Sequence, residues 1–119
     1  MRSVIAVVDD LFFAAKIRAT AESVGVNVRF EKNAGAAVEA ARAMRPELVV
    51  VDLHAQRCDP FALAEQLKVV EGLREVPIVG FFSHVETELP QRAVGAGFDR
   101  VLPRSAFTRK LPEILLGNI

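Results

Sequence analysis

One cysteine, Cys58, stands alone among 119 residues. A single thiol excludes an internal disulfide framework and a cysteine-built zinc site, and a reducing, cytoplasmic home is the simplest expectation. Net charge is missing as well: 15 Lys and Arg face 15 Asp and Glu, and residues 1–60 and 61–119 are each balanced. No basic face for nucleic acid or an anionic membrane is therefore expected, and no acidic tail. Long apolar runs are absent too. Residues 4–8 (VIAVV) lie between one arginine and two acids, too short a run for a signal-peptide core or a membrane span. Low-complexity tracts and fixed-period repeats are not found. A chain of this length suits one domain, which buries about two-thirds of its unfolded surface without staples.

What is present is a set of short β-rich runs. Residues 4–8 (VIAVV), 48–51 (LVVV) and 78–82 (IVGFF) are apolar without alternation, the pattern of strands covered on both faces. Weaker strands read at 26–30 and 100–102. Helical segments fall between them. Residues 11–24 stop at Gly25, and 34–44 follow Asn33 as an N-cap and end before Pro46. Residues 61–70 follow Asp59-Pro60, an acid cap with a proline at the first helical position. A helix over 86–94 requires Pro90 to lie in its first turn. The last helix runs from Ser105 to about Leu116, across Pro112.

Alternating strands and helices with short connections predict an α/β fold: a doubly wound, flavodoxin-like (βα)5 parallel sheet. The strand order 2-1-3-4-5 makes the two most apolar strands, the first and third, central neighbours. Winding reverses between them, and ligands bind at the carboxyl ends of strands beside such a reversal. The first strand ends in Asp9 and Asp10, and the third ends in Asp52. Three carboxylates are thus expected at one crevice, where they raise one another's pKa unless a cation compensates them. Hard oxygen ligands in a small open cluster suit Mg²⁺. Taken singly, Asp10 can cap the first helix and Asp52 can simply end a strand.

The segments VVDD at 7–10, LVVVDL at 48–53, VPIVGFFSH at 76–84 and AGFDRVLPRSAF at 96–107 together resemble receiver domains of two-component response regulators. The resemblance spans essentially the whole chain. Its spacing fits, with 42 residues from Asp10 to Asp52, 30 from Asp52 to Phe82 and 52 from Asp52 to Arg104. It implies that Asp52 accepts a phosphoryl group from a histidine kinase or phosphotransfer protein. It further implies that Asp9, Asp10, Asp52 and the backbone carbonyl of His54 hold Mg²⁺. The chemistry suits an aspartate nucleophile assisted by a cation and a nearby basic side chain.

The chain also departs from the family's pattern. Phe82 stands where the family has a Thr or Ser that binds a phosphoryl oxygen, and Ser83 substitutes only if the strand bends or bulges. Arg104 stands in place of the family's Lys, longer and forked. Val101 replaces the switch aromatic, so a coupled Thr–aromatic switch cannot work in its usual form. Ser105 replaces the proline after that Lys and reads as an N-cap for the last helix.

Phe12, Phe13 and Phe82 read either as core or as a phenyl rim that dries the acid pocket and weakens Mg²⁺ binding. Asp52-Leu53-His54 begins like a cobalamin-binding element but lacks its glycines and follows the wrong strand. His84 reads as a polar residue at a loop top, and Cys58 has no basic neighbour closer than Arg57 to make it a catalyst.

Two versions of a signalling domain follow, both acting through an unidentified downstream protein. In one, Asp52 is phosphorylated and the output route is rearranged. In the other, a pseudo-receiver binds partners without phosphate. A small Mg²⁺-dependent phosphatase is the competing class, but such enzymes carry D-x-D on the first strand and a cap domain. In the family, the face of the fourth helix, fifth strand and fifth helix often makes dimers. Here it would draw on Glu86, Glu88, Arg92, Arg100, Arg109 and Lys110, mixed in sign and suited to a homodimer through reciprocal ion pairs or to ordinary solvation.

Overall fold

A computed structural model describes residues 2–83 and 88–118. Five parallel strands alternate with helices: β1 Ser3–Val7, α1 Leu11–Val24, β2 Asn27–Glu31, α2 Ala34–Met44, β3 Leu48–Asp52, α3 Pro60–Val69, β4 Ile78–Phe82, α4 Leu89–Ala96, β5 Arg100–Pro103, α5 Arg104–Arg109 and α6 Leu111–Leu115. The sheet order is β2-β1-β3-β4-β5, as the strand composition predicts.

The uninterrupted apolar runs follow from burial on both faces. Ile5, Val7, Val49 and Val51 point to one side and pack with Ala37 and Val38 of α2, Leu63 and Leu67 of α3 and Ala93 of α4. Val4, Ala6, Leu48, Val50, Val79 and Phe81 point to the other and pack with Phe13 and Ile17 of α1, Phe107 of α5 and Leu111, Ile114 and Leu115 of α6. Each fully buried side chain of this size contributes about 1.5–3 kcal/mol.

Helix starts are set by the side chains expected there. Asp10 Oδ1 accepts from the backbone N–H groups of Phe12 and Phe13, Asn33 Oδ1 from Ala36, and Asp59 Oδ1 from Phe61 and Ala62. Gly25 ends α1 at φ 75°, a left-handed conformation that costs glycine little. At Gly80, within β4, a side chain has no room: a Cβ there would lie 2.8 Å from the Phe98 ring and 3.2 Å from Leu53. Lys68 Nζ donates to the carbonyls of Arg74 and Val76 and to Asp99 Oδ2, which also accepts the Ile78 N–H. These contacts fix where β4 begins, and so where its far end arrives.

Apart from one-residue shifts at the ends of strands and of α3, three features differ from the sequence expectation. The last helix is two short ones, α5 and α6, because Pro112 has no N–H to donate to the Thr108 carbonyl and its ring would crowd it. Ser105 is not an N-cap. It lies inside α5, which starts at Arg104 after Pro103 with no side-chain cap. In α4, Pro90 does fall in the first turn, but the helix begins at Leu89 and continues to Ala96. The expected start at Glu86, and His84, lie outside the described residues. Among the described residues no helix is long and apolar enough to cross a membrane.

Candidate functional site

The carboxyl ends of β1 and β3 pair in register, Val7 with Val51, so the residues that follow them share one rim of the sheet. An open crevice of about 540 Å³ lies there, lined by Asp9, Asp10, Asp52 and His54 with Lys32, Gln56 and Arg57. All three predicted acids therefore reach the same crevice. They do not close on one point: among the described residues, no three His, Cys, Asp or Glu side chains stand close enough together to hold a metal ion.

The three acids differ in their partners. Asp9 Oδ2 accepts the Gln56 N–H at 2.7 Å, while its Oδ1 is buried with no hydrogen-bond partner among the described residues. Asp10 is doubly committed. Its Oδ1 caps α1, and its Oδ2 accepts from the Arg104 guanidinium at 2.9 Å. The Arg104 hydrogen bond and the Phe13 N–H hold its carboxyl below the usual carboxylate range. Asp52 Oδ1 accepts the His54 N–H at 2.8 Å. Burial pushes the Asp52 pKa up, only partly offset by that hydrogen bond and by the positive charge of Arg104.

Mg²⁺ needs only one or two carboxylates, with waters supplying the rest. The orphaned Asp9 oxygen beside Asp52 fits such an ion, since a buried carboxylate oxygen without a donor is costly until a proton or cation reaches it. Asp10 as it stands serves α1 and Arg104 instead.

A second hollow, of about 210 Å³, adjoins Asp52 and is lined by His54, Phe81, Ser83 and Arg104. Phe82 is not among its walls; it packs half-buried on the α2–α3–α4 side of the sheet. The register explains this. Asp52 pairs with Phe81, so alternation sends Phe81 and Ser83 toward Asp52 and Phe82 away, without any bulge. Ser83 is instead engaged by the His54 ring, whose Nε2 accepts the Ser83 N–H at 3.1 Å and lies 3.4 Å from its hydroxyl. That ring contact has no signal in the sequence, where His54 counts only for its carbonyl. Lys32 and the Gln56 N–H, both from loops, are equally silent there.

The phenyl rim does not form. Phe12 is 92% exposed, and Phe13 is buried with its ring tilted against Phe81 at 4.8 Å and Phe107 at 5.9 Å. Arg104 Cζ lies 4.3 Å above the Phe13 ring, so the guanidinium is held by a carboxylate and an aromatic face together. Val101 is half-buried toward the α4 side. Cys58 is buried, and burial pushes its thiol up to about 11, which keeps it unreactive. On the expected dimer face, Arg92 lies over the Phe61 ring at 4.2 Å, while Glu88, Arg109 and Lys110 are exposed.

No protein-family model matches the sequence, and no curated protein matches it. Solved structures do. A response regulator from Hahella chejuensis superposes with a TM-score of 0.87 at 18% identity, covering 100% of this chain and 98% of that one. The chemotaxis response regulator CheY4 of Vibrio cholerae gives 0.85 at 18%, covering 100% and 99%. The receiver domain of the sensor histidine kinase PA1611 from Pseudomonas aeruginosa, with a magnesium ion coordinated in its active site cleft, gives 0.84 at 21%, covering 96% and 93%. The chain has the receiver-domain fold.

Proposed function

We propose that this receiver-fold domain works in phosphorelay signalling, with Asp52 accepting a phosphoryl group from a histidine kinase or phosphotransfer protein. The observation that carries the reading is the placement of Asp52. It ends β3 at the winding reversal, in a crevice shared with the orphaned Asp9 oxygen and beside the Arg104 charge. A carboxylate oxygen of Asp52 forms the new bond to phosphorus as the donor's bond breaks, giving an acyl phosphate. A divalent cation, when bound, would neutralise the phosphoryl oxygens. Asp9 and Asp52 would hold it, joined by Asp10 and the His54 carbonyl, and the magnesium ion in the Pseudomonas neighbour supports that choice. Arg104 supplies positive charge, and Ser83 is the hydroxyl on Asp52's side of β4.

On this reading the domain is a cytoplasmic signalling module rather than an enzyme, and its output passes to a protein partner. A homodimer through α4, β5 and α5 is one form that output can take. The phosphate-independent reading has its own support: Arg104 is taken by Asp10, and Ser83 by His54. Incubation with a small phosphodonor and Mg²⁺, followed by intact-mass measurement, separates the two. Phosphorylation predicts one phosphate adduct on the wild type that vanishes in Asp52→Ala. No adduct at any Mg²⁺ concentration leaves the phosphate-independent module. Steady phosphate release from model esters would instead indicate the phosphatase class.

A further inference from the structure

Arg104 is tied at two points to groups that cannot follow it. Its guanidinium bonds Asp10 Oδ2 at 2.9 Å, and its Cζ stands 4.3 Å over the Phe13 ring. Phe13 is fixed beneath it by Phe81 and Phe107, whose own rings stack at 4.5 Å. Asp10 has only Oδ2 to offer, because Oδ1 is occupied by the second and third amides of α1, those of Phe12 and Phe13.

We propose that Arg104 is an internal rival of the divalent cation, holding Asp10 out of the metal site until it swings off Phe13. The inference rests on the reading that the crevice takes such a cation. Asp9 and Asp52 are then the entry ligands, because neither is paired with a basic side chain among the described residues. Asp10 joins only when Arg104 departs, and its departure breaks the ion pair and the cation–π contact together. The guanidinium so freed is the one that lines the hollow beside Asp52. Metal entry and delivery of positive charge to Asp52 become one event, carried by a residue that a shorter, compact lysine would not reproduce.

The test is a calorimetric titration with Mg²⁺ of the wild type, Arg104→Gln and Arg57→Gln. Arg57 lines the same crevice and carries the same charge, yet is not among the partners of Asp10, which are Phe12, Phe13 and Arg104. Release of Asp10 predicts Mg²⁺ binding at least about fivefold tighter in Arg104→Gln. In Arg57→Gln the tightening should be about twofold or less, the general effect of one lost positive charge. In the wild type, the Arg104 Nε–H resonance should lose its ring-current shift as Mg²⁺ saturates the site. Equal affinity in wild type and Arg104→Gln, equal tightening in both variants, or an Arg104 resonance unmoved by bound metal would each overturn the proposal while leaving the metal site standing. Absence of binding in all three proteins would overturn both.

Discussion

Substituting Gly80 by alanine tests how tightly β4 is seated beneath Phe98. The added Cβ would lie 2.8 and 2.9 Å from two carbons of the Phe98 ring and 3.2 Å from Leu53 Cδ2, all inside ordinary contact distance. Phe98 is 4% exposed and Leu53 5%, so neither can move outward freely. Overpacking of this kind costs about 1–3 kcal/mol. The backbone at Gly80 is not left-handed, so alanine also lowers the entropy of the unfolded chain, which returns about 0.4–1 kcal/mol. The net expectation is a loss of about 1–2 kcal/mol. For a chain between the small and medium size classes, that lowers Tm by roughly 3–12 °C. The chain has no Trp or Tyr, so far-UV circular dichroism under heat or urea is the suitable probe. Phe98→Leu in the Gly80→Ala background should recover part of the loss, with a coupling of about 1 kcal/mol in a double-mutant cycle. A neutral or stabilising Gly80→Ala, or strictly additive effects, would refute the account of β4 as jammed against Phe98.

Three further outcomes follow from other contacts. Asp52→Asn should stabilise the fold at neutral pH, because burial raises the Asp52 pKa and the folded state pays to ionise it. Between the unfolded value of 3.8 and the raised folded value, the folded state binds more protons, so wild-type stability falls as pH rises. The gain from Asn should accordingly shrink as pH falls through the folded pKa, and urea midpoints across pH would show a constant gain if the reasoning fails. Asp59→Ala removes an acceptor for two α3 amides and should cost about 1 kcal/mol, whereas Asp59→Asn should cost only a few tenths, measured by urea unfolding. Cys58, with its thiol pushed up to about 11, should resist iodoacetamide at neutral pH and react only as the chain unfolds; alkylation faster than unfolding would contradict its burial.

The sequence carries the fold further than the site. Strand order was legible because residues 4–8 and 48–51 are apolar at every position, which requires cover on both faces and hence central places in the sheet. Caps at Asp10, Asn33 and Asp59 were legible because each is a local event within three residues. The split of the last helix was half visible: Pro112 marked the break, but only tertiary packing of Phe107 and Leu111 into one core shows that both pieces persist. At the site, the spacing of the acids placed Asp9, Asp10 and Asp52 at one crevice. Counting residues alone gave Phe82 the position beside Asp52, where the strand register sends Phe81 and Ser83. The Arg104–Asp10 pair, the guanidinium over Phe13 and the His54 ring on Ser83 join residues 94, 91 and 29 positions apart, and no local pattern announces them.

The order β2-β1-β3-β4-β5 also bears on how a ribosome could lay this sheet down. β1 and β2 can pair as soon as both have emerged, and every later strand then adds to an open edge; none has to be threaded between two strands already joined. Growth changes edge only once, when β3 joins β1 on the side away from β2. That turn is also where the crevice opens. Until residue 52 is made, the nascent chain has Asp9 and Asp10 but no opposite wall, so the pocket comes into being at the same step that commits the sheet to its direction of growth.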